Sequence, residues 1–474
     1  MVAAVQSATT LPVFLFALFA GVLADLIDRR KFLLWLNLLL AAGAFLMTAL
    51  VHLGLMTPAL LLLFAFFFGT GVAFLAPAWQ AIVPSLVPRE DLTSAIALNS
   101  IGINVSRAIG PALAGLLIVA LGLSAPFLAN AVSFIGILLA LWFWKPEAAK
   151  ESPLPRERVL AALRLGLRFA LNSPALKATL VRAVAFFLFA SAFWALLPII
   201  AKEQLSGGAT LYGLLMGAAG AGAVLGGLLS PRIKARWNAD QVTAGGTVGL
   251  ALVLCLLALV PSQPVAMAAA ALAGFSWIGV LASLNVSAQT ALPNWVRARG
   301  LSIFLTVFFG SLSLGSLVWG QIATLWGLPS AMLIAAAGAL LAIPLVRKAH
   351  LGQGEKIDHT PSGHWPEPLL ADVGVDDQLV LIEVEYRVKA GEEEKFKSLM
   401  AELAASRRRG GGLRWSLTRD SANPSRFVER WWEGSWEDHL RHHARVSVSD
   451  EEWQKTIDQV LLQERKVTHQ LSVF

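Results

Sequence analysis

The sequence predicts an all-α polytopic membrane bundle followed by a small α+β domain. Three observations lead there. First, 56% of the 474 residues are hydrophobic and only 15% are charged, against about 25% charged in soluble domains; mean hydropathy is +0.64. Second, apolar runs of about 20 residues recur as far as residue 346, each long enough at ~1.5 Å per residue to cross a ~30 Å hydrocarbon layer. Third, residues 379–474 abandon that pattern for short alternating and amphipathic stretches rich in charge.

In order, the apolar runs are 3–24, 32–51, 58–83, 94–121, 126–144, 179–200, 211–229, 242–260, 265–289, 301–325 and 329–346, which makes eleven predicted spans. They group into an N-terminal half-bundle (1–144) and a C-terminal half-bundle (179–348), separated by a basic linker (145–178). From about residue 155 the linker interleaves Arg156, Arg158, Arg164 and Arg168 with Leu160, Leu163, Leu167 and Leu171. That is an amphipathic helix, suited either to an anionic inner leaflet or to a solvated connection. A second linker, 349–378, leads to the terminal domain.

The turns alternate in charge. Charged ones lie at 28–31, 89–91, 145–177, 232–236, 297–299 and 347–348; of the others, only 201–209 holds Lys or Glu, as Lys202 and Glu203. Positive-inside bias puts the strongly basic turns and the terminal domain in the cytoplasm. The net charge of +7 is then a topological bias, and no nucleic-acid partner is expected. The single cysteine, Cys255, has no disulfide mate and is expected to pack. No basic n-region or cleavage site marks a signal peptide.

The halves repeat. Gln80-Ala-Ile-Val-Pro84 recurs as Gln289-Thr-Ala-Leu-Pro293 at a shift of 209, Gly122-Leu123 as Gly327-Leu328 at 205, and Gly21-Val-Leu-Ala as Gly227-Leu-Leu-Ser at 206. Three matches in order at nearly one shift describe a parallel repeat, an arrangement of transporters with the substrate site between the halves. The span 179–200 has no counterpart at that shift, so the first helix of a six-plus-six plan is expected to be missing, through a late start or a truncation.

Asp25 sits at the C-terminal end of its helix, where the macrodipole disfavours an acid without partners; Arg29 and Arg30 follow it, and Gly21 lies one turn earlier. Within the spans, Arg107 is an expensive charge three residues from Asn104 and on the same helix as Asn99. Gln80, Asn285 and Gln289 are further polar residues that can line a cavity or bond between helices. No acid lies deep in a span, so no residue is assigned to proton coupling.

The stretch Gly21-x-Leu-Ala-Asp25-x-x-Asp28-Arg29-Arg30 resembles the signature of the major facilitator superfamily. Pro77-Ala-Trp-Gln-Ala81, the Asn99 to Gly115 run with Asn104, Arg107, Gly110 and Pro111, and Trp436-Glu-Asp-His-Leu-Arg-His-His443 are similar to its branch of enterobactin-exporter-like bacterial proteins. The resemblance implies proton-driven export of a small molecule (siderophore, drug or metabolite) by alternating access. It also implies a conformational latch at Gly21, Asp25, Arg29 and Arg30. Gln80, Asn99, Asn104, Arg107, Asn285 and Gln289 are the cavity candidates. The second-half copy, Gly227-Leu-Leu-Ser-Pro231-Arg232, lacks the acid.

In the terminal domain, strands are expected at 379–388, 413–418, 426–433 and 467–473, and helices at 392–408, 436–445 and 451–463. The order β-α-β-β-α-β, with its second helical part split, is ferredoxin-like. It resembles the small antibiotic-biosynthesis-monooxygenase-like domains that pair into dimers, so a homodimer through this domain is possible. His439, His442 and His443 can be read as catalytic or metal-binding, but no acid or cysteine completes a recognised ligand spacing. No catalytic residue, metal or cofactor is expected, and the domain reads as regulatory or dimerising. The competing readings are a membrane-anchored enzyme or sensor and a truncated, non-functional transporter.

Overall fold

The computed structural model describes residues 2–82, 117–144, 159–293, 295–352, 357–358, 360–365 and 378–472, with a few single positions between 102 and 115. The chain divides into two compact units.

The first unit (Met1–Lys150, Ala178–Ala288, Leu301–Leu351) is helical. Its elements are α1 (Val2–Leu26), α2 (Arg29–His52), α3 (Pro58–Ile82), α4 (Ala125–Phe143), α6 (Pro174–Ile199), α7 (Gly208–Lys234), α8 (Ala239–Leu259), α9 (Gln263–Thr290), α10 (Arg297–Trp326) and α11 (Leu328–Leu345); α5 (Val159–Asn172) belongs to the other unit. Among the described residues nine helices are long and apolar enough to cross a membrane, and α1 adds 25 helical residues. The expected span at 94–121 lies largely outside the described residues.

Local chemistry sets the helix starts. Asp28 caps α2 by accepting the Lys31 amide at 3.0 Å. Asn238 and Gln241 form a reciprocal capping box on α8, satisfying amides that have no partner inside the helix. Proline opens α4 and α11, where a missing N–H costs nothing. Helix α6 holds Pro198 near its end and unwinds into a π turn, Ile200–Gln204.

The sequence repeat becomes a repeat of packing. In the first half α1 packs on α3, and α2 on α4; α8 packs on α11 in the second. The α7–α9 pair meets so closely that a Cβ on Gly222 or Gly274 would strike the facing backbone at Ala271 or Ala219, the small-residue contact typical of membrane helices. Each pair in one half thus has its equivalent in the other. The halves meet where Ser7 of α1 donates to the Ser313 carbonyl of α10 at 3.4 Å. There Val13, Ala17 and Ala73 pack with Leu305 and Phe309. Cys255 is a half-buried free thiol in α8.

The second unit gathers Glu151–Lys177, Gln289–Gly300 and Gly352–Phe474. Its elements after α5 are β1 (Val380–Arg387), α12 (Glu393–Gly410), β2 (Leu413–Arg419), β3 (Arg426–Glu433), α13 (Trp436–His443), α14 (Val448–Gln459) and β4 (Lys466–Leu471). The strands form one antiparallel sheet in the order β2-β3-β1-β4. Burial alternates along β1, as period-two side chains require. Val380, Ile382, Val384 and Tyr386 join Phe396, Met400 and Leu403 of α12, with Phe427 and Trp431 of β3, in one core.

The linker helix differs from both expectations for it. An amphipathic face can be covered by lipid, water-exposed side chains or protein, and here α5 packs on α12. Ala162, Phe169 and Ala170 are buried. Arg168 donates to the Gly411 carbonyl at 3.4 Å, and Phe169 meets Trp295 edge-on at 5.7 Å. Linker and terminal domain therefore share one unit rather than forming two.

Candidate functional site

The polar ends of the bundle carry its most specific geometry. Arg30, in the first turn of α2, donates through Nε to the Leu141 carbonyl at 2.9 Å and through Nη2 to the Trp142 carbonyl at 2.5 Å. Those carbonyls end α4, where a helix lacks internal donors and its dipole favours a cation. Gly21 is buried in α1. The side chains of Asp25 and Arg29 lie outside the described residues, so of the latch set only Gly21 and Arg30 have described surroundings, and Arg30 is engaged within its own half.

The second half has an equivalent lock of different chemistry. Asp240, in the first turn of α8, pairs with Arg182 Nη2 at 3.1 Å and with His350 Nδ1 at 3.0 Å, and accepts the Leu351 amide at 2.9 Å. Arg182 also donates to the Ala349 carbonyl. Arg182 is 6% exposed and lies two turns into α6, which begins at Pro174.

Of the cavity candidates, the side chains of Gln80, Asn99, Asn104 and Arg107 lie outside the described residues. Asn285 is half-buried and Gln289 exposed on α9. Trp194 and Trp277 pack in an aromatic cluster with Phe187 and Phe308, with ring centroids 4.4–5.3 Å apart along the chain of contacts. Thr179 and Ser287 hydrogen-bond at 2.8 Å between α6 and α9.

The terminal domain holds two buried carboxylates on β3, four residues apart on one face of the sheet. Glu429 accepts from Tyr386 at 2.7 Å, Trp415 at 2.8 Å and Arg407 at 3.3 Å. Glu433 accepts from Trp431 at 2.8 Å, His439 Nδ1 at 2.8 Å and His442 Nδ1 at 2.6 Å. Burial alone raises the Glu433 carboxyl, but the His442 and His439 charges and hydrogen bonds outweigh it and hold the group well below the usual range.

Beyond Glu433 the imidazoles of His439, His443 and His469 converge, with one nitrogen from each within 4.8 Å of the others. His439 and His443 are one helical turn apart on α13. His469 stands opposite Ile382 in the β1–β4 register, so it shares the helix-covered face of the sheet. Burial, and then repulsion from His439 and His442, pushes His443 down to about 3. Burial and His439 lower His469 as well. Sequence reasoning missed Glu433 and His469. The available signal was the His439-x-x-x-His443 spacing; nothing local points to a partner 26 residues later.

A family model described as transmembrane secretion effector matches residues 1–473. The enterobactin exporter EntS of Escherichia coli O1:K1 is 32% identical over 295 residues, 59% of this chain and 66% of that protein. The chain therefore spans just under two thirds of the length of the curated relatives it matches. Among solved structures, a bacterial homologue of the human lysosomal transporter Spinster, inward-facing and unoccupied, is similar at TM-score 0.54 and 17% identity, over 74% of this chain and 91% of that one. The Escherichia coli fucose:proton symporter FucP is similar at TM-score 0.52 and 16% identity, over 73% and 90%.

Proposed function

Because the chain belongs to the transmembrane secretion effector family of the major facilitator superfamily, whose members are transporters rather than enzymes, we propose that it exports a small molecule by proton-coupled alternating access. The observation that carries this is the paired packing of the two halves, α1 on α3 and α2 on α4 against α7 on α9 and α8 on α11. Two equivalent bundles that meet at α1 and α10 can rock about a site between them.

The substrate class is a siderophore or a drug- or metabolite-sized molecule, the first supported by the enterobactin-exporter relatives. The membrane is the bacterial cytoplasmic one, with the basic turns and the terminal domain inside. Asp25, with Gly21, Arg29 and Arg30, acts as the latch, and Gln80, Asn99, Asn104, Arg107, Asn285 and Gln289 contribute to the cavity. The terminal domain, with β2-β3-β1-β4 order, is ferredoxin-like. It shares one unit with the linker between the halves and with the α9–α10 turn, which supports a regulatory role; pairing between copies of the domain is part of the same reading.

The test is efflux from cells. A strain lacking its own exporters is loaded with enterobactin or a fluorescent drug, with and without this chain. Faster loss that a protonophore abolishes supports the reading; equal loss from both strains sinks it.

A further inference from the structure

The second carboxylate cluster has a feature that core packing does not explain. His439 is 0% exposed. Its Nδ1 is taken by Glu433 at 2.8 Å, and its Nε2 is buried with no hydrogen-bond partner among the described residues. A buried polar atom left unmatched is destabilising and calls for a partner. In the neutral ring whose Nδ1–H donates to the carboxylate, Nε2 carries the lone pair, the tautomer of a metal-ligating imidazole.

We propose that His439, His443 and His469 form a binding site for a divalent transition-metal ion of the zinc class, with Glu433 positioning His439. One nitrogen from each imidazole lies within 4.8 Å of the others. A tetrahedral ion with Zn–N bonds of about 2.0–2.1 Å needs its nitrogens roughly 3.3 Å apart. The ligands must therefore close by about 1 Å or more where they are farthest apart. His439 is pinned by Glu433, whereas His443 and His469 are only half-buried. The rings already meet edge to face, His439 with His443 at 4.6 Å and with His469 at 4.7 Å, and Trp436 closes one side at 5.3 Å from His439.

Three imidazoles select zinc, cobalt, nickel or copper over magnesium and calcium, which prefer oxygen. A carboxylate behind a ligating histidine fixes its orientation and raises its basicity. Glu433 does this while also holding His442 and Trp431. Three protein ligands leave a fourth position for water or an exogenous ligand. The inference stands apart from the export reading, because it uses only groups of the terminal domain.

The test uses the full chain in detergent, stripped with chelator and titrated with Co2+. The site predicts the visible d–d absorption of four-coordinate cobalt at one equivalent per chain, lost when Zn2+ is added. His443→Gln and His469→Gln should each weaken binding by about 100-fold or more, and Glu433→Gln by about 10- to 100-fold. His52→Gln, at the far end of α2, should change nothing. Absence of the absorption in the unaltered chain overturns the proposal, whatever the variants do. So does absorption that survives in the His443→Gln/His469→Gln double variant.

Discussion

Arg30, at the start of α2, donates to the carbonyl of Leu141, at the end of α4, at 2.9 Å. In the second half Asp240, at the start of α8, accepts the Leu351 amide, just beyond α11, at 2.9 Å. The same two helices are tied at their ends in each half, once by a cation on carbonyls and once by an anion on an amide. The repeat thus conserves a mechanical connection while changing its charge.

Arg30→Ala removes two charge-assisted hydrogen bonds from the α4 terminus. Bonds to a charged group contribute about 1.5–3 kcal/mol each when well formed, and partial exposure here reduces that. A loss of about 1–3 kcal/mol is expected, read as a fall in thermal midpoint of the detergent-solubilised chain. Arg30→Lys should recover part of it, since an ammonium keeps the charge but not the two-pronged geometry.

Asp240→Ala should cost more. Arg182 is buried, and removing its anion leaves an uncompensated charge, which in buried pairs destabilises by about 3–5 kcal/mol. The Arg182→Met/Asp240→Ala double variant should be less damaged than Asp240→Ala alone. A thermal-unfolding cycle on the three variants checks this; additive losses would contradict it.

Asp450 makes the terminal domain acid-sensitive. Burial raises its carboxyl, but hydrogen bonds from Ser406 and Ser447 and the Arg409 charge outweigh that and hold it below its ordinary value. A depressed carboxyl stabilises the fold fully above the unfolded value near 3.9. That contribution is lost as pH falls through the folded value. The Asp450 contribution should therefore be level above about pH 5 and lost below about pH 4, added to the decline that the half-buried, proton-resisting His443 causes as pH falls below about 6.5. Asp450→Asn should lower the plateau and flatten the acid limb in far-UV melts taken from pH 3 to 7.

Asp25→Asn keeps the size of the side chain and removes its charge. If the latch reading holds, export falls about 10-fold or more while expression and thermal midpoint stay near those of the unaltered chain. Unchanged export in a well-expressed variant would contradict it.

The bundle was legible because membrane spans write themselves as uninterrupted apolar runs, and because the repeat kept Gln80 and Gln289, or Gly122 and Gly327, at nearly one shift. The terminal strands and helices were legible to within a few residues through alternation along Val380–Arg387 and the apolar face of Glu393–Gly410. What covers α5 was not, since an amphipathic face looks the same under lipid or protein. The imidazole cluster was half-legible. His439 and His443 announce themselves by helical spacing, but His469 joins them only through the β1–β4 register, and Glu433 reads locally as one more strand residue.

The most direct measurement of the central claim is gradient-driven transport by the purified full-length chain in proteoliposomes, with enterobactin and a lipophilic dye as probes. Proton-coupled export predicts movement of at least one probe against the imposed proton gradient, several-fold above protein-free vesicles and abolished by a protonophore. Folded protein that moves neither probe, with or without the gradient, would contradict it.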